Sequence, residues 1–205
     1  MAERGSWPSI RKYGLKSTSA LLDFYHIAGE YRRSIESCWR PESVTLEDPN
    51  YGKAVIRDQK PLHEGALKRV LIGMSTTEWY QLLNRKTFFW VTRERLERLL
   101  KARAYRYKPQ TVIIIESSML VNRHGDKITV SPINSGATFG GGMRGRNTFS
   151  RLPDYDFETA WRKKKKDAIV ELAVDYTVDD IADMVLTVEE WYEGKIIKKI
   201  QLQSM

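Results

Sequence analysis

Residues 168–175, Ala-Ile-Val-Glu-Leu-Ala-Val-Asp, constrain the fold more than any other stretch. Read as a strand, they put Ala168, Val170, Leu172 and Val174 on one face and Ile169, Glu171, Ala173 and Asp175 on the other. The first face is wholly apolar and needs a core beneath it. Glu171, flanked by Ile169 and Ala173, either faces solvent, as most strand glutamates do, or is a placed carboxylate.

The rest of the chain supplies elements to surround such a strand. Helices are expected over 17–25, 30–38, 64–72 and 78–84, and another starts at Arg93 behind a Thr92 cap. Apolar runs at 87–91, 111–116 and 127–131 read as strands. Residues 42–61 read as irregular, with a turn at Asp48–Gly52 and a short strand at Val55-Ile56. The glycine-rich segment 139–146 reads as a flexible loop, because ordering three consecutive glycines costs too much entropy. A helix over 157–166 is expected to turn Trp161 inward and end in the run Arg162-Lys163-Lys164-Lys165-Lys166. A hairpin around Glu193-Gly194 closes the chain, pairing 185–192 with 195–203. Helices first, strands interspersed and a hairpin last argue for α+β, and no linker-like stretch divides residues 1–205, so a single domain is expected.

Composition narrows the function classes. No apolar run approaches the ~20 residues of a membrane span, and the N-terminus lacks a signal-peptide core, so a cytoplasmic chain without a membrane partner is expected. Cys38 is the single cysteine, which excludes an internal disulfide framework and reads as a small buried apolar residue. His26, His63 and His124 share no ligand spacing, so no metal is expected. A net charge of +8 favours a polyanionic partner, nucleic acid first. Phosphate-loop, dinucleotide-fingerprint and nucleophile-elbow motifs are all missing. Asp175, Asp179, Asp180 and Asp183 could be recruited by a metal-dependent nuclease, but a helix N-terminus accounts for 179–183.

What remains is an ordered layout: Tyr25-His26, then Phe88-Phe89-Trp90-Val91-Thr92-Arg93, then a Ser-Gly-Ala-Thr segment and a flexible loop, then Lys166 to Leu172 with Glu171. This layout resembles the ADP-ribosyltransferase fold, and most of all its DarT-type branch, which modifies DNA bases with NAD. Members of that branch carry an early histidine, an aromatic strand running into Pro-Arg and a helix, and a late glutamate strand after a basic stretch. The resemblance lies in short blocks across about residues 20–190 and implies a split mixed or antiparallel central sheet with N-terminal helices. Thr92 stands where that branch has proline, Arg95 competes with Arg93 as the counterpart arginine, and Ile27-Ala28 follow the histidine. Ile169 removes the Glu-x-Glu or Gln-x-Glu pair of arginine-modifying relatives, which suits a nucleic-acid target. The chain also resembles an uncharacterised bacterial family through Leu-Asn-x-x-x-Phe-Phe-Trp at 83–90 and Ser-Pro-Ile-Asn-Ser-Gly-Ala-Thr at 131–138.

The resemblance implies roles. Glu171 would stabilise the ribosyl cation that forms as nicotinamide leaves NAD, and Arg93 would grip phosphates or the target base. Thr92, Arg95, Tyr25, His26, Ser135 and Thr138 would bind or support the cofactor, while Arg144, Arg146, Lys163 and Lys164 would meet nucleic-acid phosphates. Toxin-type biology, with an antitoxin or hydrolase partner, fits such an enzyme. Each residue also has an ordinary structural account: Arg93 as a solvated helix residue, Phe88 to Trp90 as core, and 162–166 as cations favoured at a helix C-terminus. Two rivals stay open, a nucleic-acid-binding module without chemistry and a relative that binds or hydrolyses NAD without a macromolecular acceptor.

Overall fold

The computed structural model describes residues 1–138 and 142–202. Phe139, Gly140 and Gly141 of the expected loop, and Gln203 of the expected final strand, lie outside the described residues. The helices are α1 (Trp7–Tyr13), α2 (Thr18–Phe24), α3 (Gly29–Glu36), α4 (Glu64–Val70), α5 (Thr76–Asn84), α6 (Arg93–Leu100), α7 (Ser117–His124) and α8 (Phe157–Lys164). The longer strands are β1 (Val44–Asp48), β2 (Gly52–Ile56), β3 (Lys86–Trp90), β4 (Gln110–Ile115), β5 (Ile128–Ser131), β6 (Glu171–Asp175), β7 (Val185–Tyr192) and β8 (Lys195–Ile200). The chain is mixed α and β, with antiparallel pairing throughout these strands.

Contacts divide the chain into two compact units. One comprises residues 1–15, 92–125 and 178 onward; the other comprises 16–91 and 126–177. Both are assembled from separated segments, so the boundary leaves no linker-like composition in the sequence.

In the first unit, β4 lies between the short strand Ala2–Glu3 and β7, and β8 pairs with β7. Leu100 of α6 packs on Val112 and Trp191, which ties the helix to the sheet. The second unit holds a sheet of order Ser150–Arg151, β5, β6, β3, and the separate hairpin of β1 and β2. Its apolar clusters lie between α2, α3 and the hairpin (Leu22, Ile35, Leu46, Ile56) and around α4 and α5 (Leu67, Trp79, Leu83). Ser75 and Glu78 form a capping box that starts α5, satisfying two backbone donors at once.

Several expectations change. Residues 44–56 form a hairpin instead of an irregular stretch, because Asp48 accepts from the amides of Asn50 (2.7 Å) and Tyr51 (3.2 Å) and closes the turn. Strand β6 begins at Glu171, three residues later than the alternation suggests. Lys165–Asp167 make a tight helical turn and Ala168 keeps helical torsions. Helices α1 and α7 were not expected; Pro8 starts the first, and the Glu116 side chain caps the second. Trp161 does not turn inward: it is 46% exposed, and α8 buries none of its residues. Phe88 lies at the surface, as does Cys38, which is a free thiol and not a buried apolar residue.

Candidate functional site

Glu171 begins the central strand of the second unit's sheet, where the C-terminal ends of both neighbours meet it. It pairs with Trp90, the last residue of β3, and with Ser131, the last residue of β5. The side chain is 5% exposed, so the solvent-facing alternative does not hold. A buried carboxylate needs donors. The chain leaving β5 supplies them: the Ser131 hydroxyl accepts from the Ile133 amide and donates to the Ile133 carbonyl, which curls the backbone back. Ser135 then donates to Glu171 Oε2 from its amide at 3.0 Å and from its hydroxyl at 2.6 Å. Hydrogen bonds of this kind to a carboxylate oxygen belong to the stronger class when the group is ionised.

Arg144 completes this arrangement, in a place the sequence reading did not anticipate. It is 3% exposed, so the expected phosphate-facing role does not fit. Its guanidinium turns inward and donates to the carbonyls of Gly142, Asn134 and Ala137. Burial pushes its pKa down, and the nearby Glu171 charge pulls it up. An arginine remains a cation under these conditions, so the carbonyls of Asn134, Ala137 and Gly142 are held by a buried positive charge close to the Glu171 carboxylate. The backbone aims it there: Leu71 pairs with Arg144 and Ile72 with Gly145 in a parallel bridge. A Cβ on Gly145 would lie 2.6 Å from the Ile72 carbonyl oxygen, so only glycine permits that approach. The glycine after the arginine was the available sequence signal.

The other expected residues have definite places. Thr138 binds the Pro61 carbonyl and accepts from the His63 amide, so it ties the segment to the start of α4. Arg146 is exposed and pairs with Glu78 at 3.0 Å. That pair lies on a cleft of about 620 Å³, also lined by Arg32, Glu36 and Arg85. Tyr25 is buried in an apolar cluster and its hydroxyl donates to the Gly52 carbonyl. His26 is exposed with φ 56°. Its amide binds Asp23 O and that of Ile27 binds Leu22 O, which is the left-handed terminus of α2. Lys163 and Lys164 are exposed on α8.

Thr92, Arg93 and Arg95 belong to the other unit. The Thr92 hydroxyl caps α6 by accepting from the Arg95 amide. Arg93 bonds Glu97 at 3.1 Å, lies 3.9 Å from Glu189 and stands 5.2 Å over the Trp191 ring. The structure therefore joins Ser135 to Glu171 and engages Arg93 with partners of its own unit. Among the described residues no group of three or more His, Cys, Asp or Glu is arranged to hold a metal. No helix there is long and apolar enough to cross a membrane.

Comparison with curated proteins and with solved structures returns no match. One family does match over residues 1–185, which is most of the chain: the protein belongs to DUF7002, described as a family of unknown function.

Proposed function

We propose that the protein is an ADP-ribosyltransferase that takes its ADP-ribosyl group from NAD and passes it to nucleic acid, with Glu171 as the residue at the reacting ribose. The observation that carries this reading is the carboxylate itself: buried at the end of a central antiparallel strand, yet oriented by a loop serine. Two separate four-stranded antiparallel sheets are also what a split central sheet requires. The net charge of +8 favours a polyanionic acceptor.

In this mechanism the bond between nicotinamide and ribose breaks, and nicotinamide leaves with the bonding electron pair. Positive charge develops on the ribose. Glu171 faces that charge from a site with little water, where a fixed opposite charge contributes about 3–4 kcal/mol to the transition state. A nucleophilic atom of the acceptor then bonds to the same ribose carbon and loses its proton. Ser135 keeps the carboxylate in place by donating twice to Oε2.

The test is incubation with isotopically labelled NAD and oligonucleotides. A mass gain of one ADP-ribose on the oligonucleotide is expected, and its loss in Glu171→Gln. Transfer that survives in Glu171→Gln removes the proposal.

A further inference from the structure

Helix α8 presents an unusual surface. It packs no residue into a core. Phe157 and Trp161 are 49% and 46% exposed, and their rings stack 5.7 Å apart at 30°. The run Arg162 to Lys166 is exposed immediately beyond them. Cations at a helix C-terminus follow from the helix dipole, but that dipole gives no reason for a stacked aromatic pair in water. The base of this arm is fixed. Asp156 caps α8 by accepting from the Thr159 amide at 3.0 Å, and the Ala168 amide binds the Lys165 carbonyl at 2.9 Å. The Tyr155 hydroxyl donates to the Ala168 carbonyl, which draws the two ends of the arm together. Ala168 precedes Glu171 by three residues.

We infer that α8 is a docking arm for single-stranded nucleic acid, with Phe157 and Trp161 stacking on bases and the basic run following the phosphates. This names the acceptor class and the surface that holds it, and rests on the transferase reading above only for the purpose of the binding. The charge identifies a polyanion, because successive cations in one short segment match closely spaced phosphates. The aromatic pair identifies the strandedness, because a base offers its face to a side chain only when it is unpaired. An anionic membrane fits less well. An interfacial helix buries a broad apolar face, and α8 offers a single aromatic pair among polar and charged residues.

The test is fluorescence anisotropy of the full-length chain, without NAD, against an oligothymidylate, an oligouridylate and a mixed-sequence duplex. Either single strand is expected to bind at least about tenfold more tightly than the duplex, and comparing the two assigns the arm to DNA or RNA. Trp161→Ala should weaken single-strand binding about tenfold while keeping its salt dependence. The double variant Lys163→Gln/Lys164→Gln should lower the slope of log affinity against log salt by about 1.4. Because α8 buries nothing, all variants should keep the wild-type melting temperature. Equal affinity for duplex, or single-strand binding unaffected by Trp161→Ala, overturns the inference. So does Trp161-dependent binding to phosphatidylserine vesicles in its place. Binding without any ADP-ribosyl transfer keeps the arm and removes the transferase. Transfer in Trp161→Ala with an unchanged KM for the oligonucleotide does the reverse.

Discussion

Glu171 and Glu189 are buried strand glutamates, one from each four-stranded sheet, and they are held differently. Glu189, on β7 of the first unit, is 3% exposed and accepts from the Trp191 indole at 2.9 Å, with Arg93 3.9 Å away. Its partners are a side chain two residues along the same strand and one on the packed helix α6. Such bonds join elements that a core already holds. Glu171 is equally buried, yet it takes two hydrogen bonds from Ser135, close to the carbonyls of Asn134 and Ala137 that Arg144 holds. A carboxylate that fastens sheet to helix has a complete structural account. One that is gripped by a loop at the end of a strand has been oriented, and orientation is what catalysis needs. Burial alone would not have distinguished them.

The sharpest way to break this contrast is to neutralise each acid in turn. Glu171→Gln should lower ADP-ribosyl transfer by about a hundredfold or more with the fold intact by circular dichroism. Glu189→Gln should cost about 1 kcal/mol of stability in urea unfolding and leave transfer within severalfold of wild type. Equal losses of transfer in the two variants would make Glu171 no more special than Glu189.

The next largest effect concerns Arg144. Arg144→Leu leaves three carbonyls without their donor and removes a buried cation near Glu171. A loss of about 2–4 kcal/mol in chemical unfolding is expected. Arg146→Leu, two residues on, removes one exposed pair and should cost less than about 0.5 kcal/mol. Ser135→Ala then tests orientation directly. It removes the hydroxyl donor to a buried carboxylate and keeps the amide, so transfer should fall about tenfold with a loss of about 1–3 kcal/mol in chemical unfolding.

Acid titration compares one carboxylate from each unit. Burial raises the Glu36 pKa, but hydrogen bonds from Arg32 and Ser19 outweigh it and leave the group below its ordinary value. Burial likewise opposes, and Arg123 and His124 overcome, at Asp180. A depressed acid stabilises the fold above its unfolded pKa, and that contribution disappears as pH falls through the folded value. Both contributions should therefore be complete at neutral pH and decline below about pH 4.5. Glu36→Gln and Asp180→Asn should each flatten the acid limb of the stability curve by about 1 kcal/mol or less.

His26 offers the smallest effect. As the left-handed terminus of α2 it should accept glycine, with stability rising by about 0.5 kcal/mol. If the imidazole also holds the cofactor, His26→Gly will raise the KM for NAD despite the stabler fold.

The sequence by itself determined the elements whose signal is local. Thr92 before an apolar helical period, the Val112–Ile115 run, and Glu193-Gly194 between two strand patterns each specify a neighbourhood a few residues wide, and the structure places α6, β4 and the β7–β8 hairpin there. Of the β1–β2 hairpin only the Asp48–Gly52 turn and the Val55-Ile56 strand were expected, and the strand over Val44-Thr45-Leu46-Glu47 came with the fold. What tertiary structure alone decided was the direction in which charged and aromatic side chains point. Arg144 and Arg146 are alike in composition and separated by one glycine, yet one is buried among carbonyls and the other is in water. Trp161 has the spacing of a core residue, but its helix buries none of its residues. Periodicity reports which residues share a face. Whether that face meets a core, a loop or solvent depends on chain segments tens of residues away, and that is why the serine holding Glu171 came into view only with the fold.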